Sequence, residues 1–236
     1  MCRKLSEMRR VAVIGAGNLR CMPPVLAVLA VWRPTGQAEF RLYDANEERL
    51  DLFDRFFRAC LEETDNDAPV RATTELSEAL EEATEVIVAL NEDGAWRMLG
   101  LTSVKEFEER VDEDEVFIPH GDPNRPTPLD RLSPRTRAML SSPTDIGRDR
   151  EAVIGEALSR VAQLAPRRAR VVSLVRGVLM PEGFEHDSLL WPQPLSSDQA
   201  ARVPHQVLRW ILGEQTLRDL LSEAARSPLA AWLEGS

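Results

Sequence analysis

The chain has 236 residues, 43% of them hydrophobic, enough for the core of one large domain or of a domain with a small appendage. Its 29 Lys and Arg face 39 Asp and Glu, a formal net charge of -10, and an acidic chain without a basic run is a poor binder of nucleic acid, because phosphate neutralisation needs clustered cations. The longest apolar stretch, Val25 to Trp32, falls far short of the roughly 20 residues that cross a membrane.

The opening "MCRKLSEMRR" has charges but no apolar signal core behind it. Cys2, Cys21 and Cys60 are odd in number and lack CxxC spacing, so a reduced, cytoplasmic chain without a thiol zinc site is expected.

In chain order, Arg10–Ile14 reads as a strand by its Val and Ile content, bounded by Gly15. Pro24 to Trp32 reads as a short buried helix, since proline is tolerated in a first turn. The strand "EFRLYD" ends at Asp44, and Glu47 to Leu61 carries Leu50, Phe53, Phe56, Phe57 and Leu61 at helical spacing. A short strand is expected at Val70–Ala72. The segment "TELSEALEEA" reads as a helix with Thr74 as N-cap, and "EVIVAL" as a strand buried on both faces.

Ala95 to Val111 is expected to be helical and "EVFIPH" a strand. A proline-rich excursion follows, at about residues 119–147. Arg148 or Asp149 through Leu164 reads as an amphipathic helix, Arg170–Val175 as a strand and "SLLWPQPL" as a last extended segment. Ser197–Gly213, Gln215–Ala225 and Pro228–Leu233 read as helices. Strands alternating with helices predict an α/β fold, a Rossmann-like doubly wound parallel sheet with C-terminal helices. The expected organisation is one dinucleotide-binding domain over residues 1–196 and a helical extension, 197–236, packed on it.

Two features point to a dinucleotide. Gly15-Ala16-Gly17 lies between a strand and a helix, where the backbone can approach a pyrophosphate and the helix N-terminus favours anions. Asp44 ends the next strand about 27 residues after Gly17, where an acid accepts hydrogen bonds from ribose hydroxyls and repels a 2′-phosphate, so NAD is expected over NADP. The fingerprint wants a third glycine at position 20 and finds Arg20. A helix that starts later, at Pro23-Pro24, leaves position 20 in an extended loop, from which Arg20 can point at phosphates. The alternative is a decayed cofactor site. Asn91, in "NEDGAW" after the fourth strand, is either a cofactor or substrate contact or a polar turn residue.

"FIPHGDPNRPTP" holds His120 and Asp122, candidates for a general acid/base at the loop end of a sheet or simply surface residues beside a turn. His186 beside Asp187 and His205 in "VPHQVLRW" read as loop and helix positions, and no spacing supports a metal site. Arg167, Arg168 and Arg170 are the densest basic spot and read as a helix end. Trp191, Trp210 and Trp232 serve either packing on their own domain or a homodimer interface built by the C-terminal helices.

The stretches "VAVIGAGNLRCMPPVL", "EFRLYDANEERLDL" and "VRATTELSEALEEATEVIVAL" resemble the family 4 glycosidases, which include 6-phospho-glucosidases and α-galactosidases. The resemblance covers roughly the first 95 residues and continues loosely through "EAVIGEALSRVAQLAPRRARVVSLV". It implies a Rossmann fold related to lactate and malate dehydrogenases, with a proline-containing loop before the first helix. It also implies bound NAD that oxidises a sugar transiently at C3, a divalent metal held by a cysteine and a histidine, and a tyrosine base. Only Gly15, Gly17, Asn18 and Asp44 carry over. After "VVSLV" the family shows an asparagine or cysteine motif, and this chain reads "RGVLMPEGF"; its one tyrosine, Tyr43, stands inside a strand. The chain is about half the family's usual length, and the family's downstream metal motif is not found. "GAGN" also resembles the opening of pyrroline-carboxylate and related imine reductases, which want glycine at position 20. The expectation is a NAD-binding protein, with a small-molecule substrate as a further partner, that lacks standard glycosidase chemistry. The alternative is a NAD-dependent oxidoreductase acting on a small sugar-like or imine substrate.

Overall fold

A computed structural model describes residues 8–100, 146–174, 185–193 and 195–235. Six parallel strands form one sheet in the order β3-β2-β1-β4-β5-β6: β1 Arg9–Ile14, β2 Ala38–Tyr43, β3 Val70–Thr73, β4 Glu85–Val88, β5 Arg170–Ser173 and β6 Asp187–Ser188. The chain crosses from β1 to β2 on one side and returns to place β4 on the other. The topological switch point, where open α/β sheets bind ligands, therefore lies at the carboxyl end of β1. This is the expected α/β Rossmann-like fold.

The described residues fall into two compact units. One holds the sheet with residues up to 89, 164–174 and from 185 onward; the other holds residues 90–100 and 146–163.

Helix α1, Met22–Val31, is apolar all round, and eight of its ten residues are buried. A helix of that composition must be covered on every side. The sheet covers one side through Val11, Val13, Phe40 and Leu42, in a core that also takes in Leu217, Leu221, Leu229 and Leu233. Helix α2, Glu47–Glu63, turns Leu50, Phe53, Phe56, Phe57, Cys60 and Leu61 inward at three- and four-residue spacing. The Asn46 side chain accepts the Arg49 N–H at 3.0 Å and fixes its start. Phe40 meets Phe57 edge-on with ring centroids 5.1 Å apart, a favoured aromatic geometry.

The opposite face of β2 carries charge. Glu39 and Arg41 alternate with Phe40 and Leu42, so the strand's two-residue period sends both to the side covered by α3, Leu76–Leu80. The Glu39 carboxylate pairs with Arg41 Nε at 3.0 Å, Arg71 Nε at 3.2 Å and Arg10 Nε at 3.6 Å. Burial works to raise the Glu39 carboxyl; the Arg41 hydrogen bond and the charges of Arg41, Arg71 and Arg10 outweigh it and hold it below the usual carboxylate range. Arg41 also donates to the carbonyls of Glu78, at 3.0 Å, and Glu81, which closes the end of α3.

Several boundaries differ from expectation. Helix α1 begins at Met22, so Pro23 and Pro24 occupy its first turn, and Trp32 is its C-cap. Thr74 does not cap α3. The N-cap is Glu75, and the Thr73 hydroxyl, one residue before the expected cap, accepts the Glu75 N–H at 3.0 Å and donates to Glu78 at 2.8 Å. The last strand is only Asp187–Ser188. Of the helix expected over Ala95–Val111, the described part is α4, which starts earlier, at Glu92, and ends at Met98. "EVFIPH" and most of the proline-rich excursion lie outside the described residues; α5, Ile146–Leu164, already occupies the excursion's last two positions. Within the second unit Arg160 donates to the Met98 carbonyl at 3.1 Å and ties α5 to α4.

The C-terminal helices are α6 Ser197–Leu212, α7 Glu214–Ala224 and α8 Pro228–Glu234. Ser196 and Gln199 form a capping box at the head of α6. Trp210 lies 5.5 Å from the Phe56 ring. Arg167 and Arg168 are exposed in the turn before β5, whereas the Arg170 guanidinium lies 4.4 Å over the Trp232 ring. The Trp232 indole N–H donates to Asp187 at 2.6 Å. These tryptophans pack within their own unit.

Candidate functional site

The turn from β1 to α1 is built on main-chain hydrogen bonds. The N–H groups of Gly15 and Ala16 both donate to the Tyr43 carbonyl at 2.9 Å, which fastens the turn to the end of β2. Gly15 has φ 88°, a left-handed conformation that glycine adopts without Cβ strain. The Gly17 N–H donates to Asp44 Oδ2 at 2.8 Å, and Asp44 Oδ1 accepts the Asn46 N–H at 2.8 Å. Asp44 is buried, with 5% of its surface exposed.

Gly17 is glycine for a local reason. A Cβ there would stand 2.7 Å from the Asp44 carboxyl carbon, 2.8 Å from its Oδ2 and 2.9 Å from the Arg49 Cβ. The small residue makes room for the acid that closes on the turn.

Asn18 is a brace. Its amide nitrogen donates to the Ala89 carbonyl just beyond β4 at 2.6 Å, and its Oδ1 accepts the Arg20 N–H at 3.0 Å. Its own carbonyl accepts the N–H groups of Cys21, at 3.3 Å, and Met22, at 3.1 Å. The Asn18 N–H goes to the Gly15 carbonyl at 3.0 Å. Position 20 therefore lies in a tight turn rather than the extended loop expected from the sequence, and Arg20 is exposed there.

The donor inventory of this turn is short. Among the described residues from Gly15 to Met22, only the Leu19 N–H takes no acceptor, and Pro23 and Pro24 have no N–H to offer. A helix N-terminus ordinarily supplies several free N–H groups to an anion. Here the prolines and the Asn18 carbonyl remove most of them.

The turn nevertheless fits a dinucleotide at its ribose end. It lies at the switch point, and the Asp44 carboxylate is drawn up against Gly17, accepting the Gly17 N–H on Oδ2 and the Asn46 N–H on Oδ1.

The other expected site residues fall elsewhere. Asn91 is the N-cap of α4 in the second unit, where its side chain accepts the Gly94 N–H at 2.7 Å. His120 and Asp122 lie outside the described residues. His186 is half-buried and His205 is exposed on α6. Tyr43 is 3% exposed within β2. Cys21, at the head of α1, is buried, and burial pushes its thiol up to about 12; burial raises the Cys60 thiol as well. Both are therefore neutral and unreactive near pH 7. Among the described residues no group of three or more His, Cys, Asp and Glu is arranged to hold a metal ion, and no helix is long and apolar enough to cross a membrane. Sequence reasoning missed Arg49. Its signal was a cation in the first turn of a helix, where the dipole favours acids such as the adjoining Glu47 and Glu48.

The sequence model described as family 4 glycosyl hydrolase matches residues 10–113. Over this stretch the chain is similar to family 4. The match takes in the glycine turn, Asp44 and β1 to β4. Similar solved structures include a 6-phospho-alpha-glucosidase from gut microorganisms in complex with NAD and Mn2+, at 15% identity and a TM-score of 0.43, matched over 71% of this chain and 32% of that one. Another is the 6-phospho-beta glucosidase from Thermotoga maritima with NAD and glucose-6-phosphate, at 16% identity and a TM-score of 0.37, over 71% of this chain and 34% of that one. The chain thus spans about a third of the length of these enzymes. No curated protein matches it in sequence.

Proposed function

We propose that this chain binds NAD at the β1–α1 turn and does not carry the standard chemistry of the family 4 glycosidases it resembles. The observation that carries the reading is the Asp44 carboxylate at the end of β2, held 2.8 Å from the Gly17 N–H at the switch point. Asp44 would accept the adenosine ribose hydroxyls. The Leu19 N–H and the Arg20 guanidinium would face the pyrophosphate, with arginine replacing main-chain donors that the prolines remove. Asn18 would hold the turn in shape rather than touch the cofactor. NAD, when bound, supplies a hydride acceptor at its nicotinamide ring.

The loss of glycosidase chemistry is supported by the chain's own residues. Tyr43 is buried in β2 and out of reach of a substrate proton, and the buried thiols of Cys21 and Cys60 are poor metal ligands in the neutral form. A NAD-dependent oxidoreductase needs an acid/base beside the ring, and its sequence candidates, His120 and Asp122, are part of this proposal only as expectations. Titration calorimetry of the full chain with NAD and NADP tests the reading. Measurable NAD binding, tighter than NADP, is the expected result; binding of neither nucleotide would reject it.

A further inference from the structure

The Asp44 carboxyl group and the Arg49 Cβ border the same small space beside Gly17. The Asp44 carboxyl carbon lies 2.7 Å and the Arg49 Cβ 2.9 Å from the position a Cβ on Gly17 would take. Arg49 is the third residue of α2, its N–H held by the Asn46 cap, and its side chain is half-buried. An arginine in a first turn works against the helix dipole, and Glu47 and Glu48 beside it are the residues that position favours. In a fold of this topology the place where a ribose hydroxyl meets an acid is also where a 2′-phosphate meets an arginine.

We propose that Arg49 is a second specificity residue of the cofactor site, a 2′-phosphate ligand kept unproductive by Asp44. The proposal rests on the NAD-binding reading above. The discrimination between the two nucleotides then belongs to the pair. Asp44 repels the phosphate and accepts the hydroxyl. Arg49, rooted on the same side of the Gly17 Cα, offers a guanidinium able to take a phosphate through two N–H donors. Removing the acid alone does more than relax the preference: it hands the position to the arginine.

The test is a four-protein comparison by titration calorimetry with NAD and NADP: wild type, Asp44→Ala, Arg49→Ala and the double variant. Asp44→Ala is expected to bind NADP about tenfold more tightly than wild type does, and adding Arg49→Ala is expected to abolish that gain, an effect of the size of one hydrogen-bonded charge contact. Arg49→Ala alone is the reference against which the double variant is read. Asp44→Asn, which keeps an oxygen acceptor for the Gly17 N–H, repeats the comparison if the alanine variant does not fold. Wild type that binds NAD, with equal NADP affinity in the acid-deleted proteins with and without Arg49, overturns this inference and leaves the NAD reading standing. Wild type that binds neither nucleotide overturns both.

Discussion

The Gly17 N–H donates to the Asp44 carboxylate across 2.8 Å, joining the turn after the first strand to the end of the second. Both partners are buried, so the bond is made away from water, where a charged acceptor strengthens it. The same carboxylate is the group proposed to meet the ribose. Asp44→Ala is therefore expected to weaken NAD binding by about 1–3 kcal/mol, the cost of hydrogen bonds to a charged group. Calorimetry against wild type measures the loss; an unchanged Kd would remove Asp44 from the site.

Gly17 tolerates nothing larger. A methyl group there must displace the Asp44 carboxyl or the Arg49 Cβ, each within 3 Å of it. Gly17→Ala should cost about 1–3 kcal/mol of stability, as overpacking does, and lose NAD binding with it. Gly15→Ala acts through a different cause, its φ of 88°, and should also cost about 1–3 kcal/mol. Urea denaturation of the two variants reads both values.

Arg20 is tested by a series. Arg20→Ala should weaken NAD binding at unchanged melting temperature, because the side chain is exposed. Arg20→Lys should recover only part, since an ammonium cannot copy a two-donor contact to phosphate. Arg20→Gly should not improve binding, because α1 begins only at Met22 and gains nothing from a small residue before it. Tighter NAD binding by Arg20→Gly would instead mark position 20 as a place where a third glycine was lost.

Glu39 ties stability to acid. Its folded pKa lies below its unfolded value, so its contribution is complete above the ordinary carboxylate range and is lost as pH falls through the lower folded value. Glu39→Gln should cost about 2 kcal/mol at pH 7, the scale of a charged hydrogen bond. The gap to wild type should close below pH of about 4, where an ordinary glutamate is protonated in the unfolded chain and then in the folded one. Denaturation midpoints across pH 3 to 7 follow it; a constant gap would exclude the charge as the cause.

An assay for manganese-dependent cleavage of plain and 6-phosphorylated glucosides should give no turnover. Metal polarisation supplies several kcal/mol of transition-state stabilisation, and the two buried cysteines do not offer thiolates for it. Release of aglycone that depends on manganese and vanishes in Gly17→Trp would contradict this.

The fold was legible where periodicity was strong. Leu50, Phe53, Phe56 and Phe57 announce α2, and "EVIVAL" announces a strand buried on both faces. Gly17 and Asp44 stood out as separate positions, at the turn and at the end of the second strand; the hydrogen bond that joins them did not, because it forms only when β2 lies beside β1. What stayed hidden depends on contacts between distant segments. The brace from Asn18 to Ala89 spans 71 residues and exists only once β1 lies beside β4. Glu39 tolerates burial through Arg41 on its own strand together with Arg71 and Arg10, and the last two reach it only once β3 and β1 lie beside β2. Thr73 took the work expected of Thr74 because the last residue of β3, rather than the one after it, presents its hydroxyl to α3.

The wrapping of α1 sets an order of events during synthesis. This helix, apolar on all sides, is made well before part of the cover it needs, which includes Leu217, Leu221, Leu229 and Leu233. Translation at bacterial or eukaryotic speeds separates those segments by on the order of ten seconds. Throughout that interval the side of α1 that these leucines cover has no partner, while β1, β2 and α2 are already made. The contacts that residues 217–233 make with α1 are thus among the longest in sequence separation that this core holds.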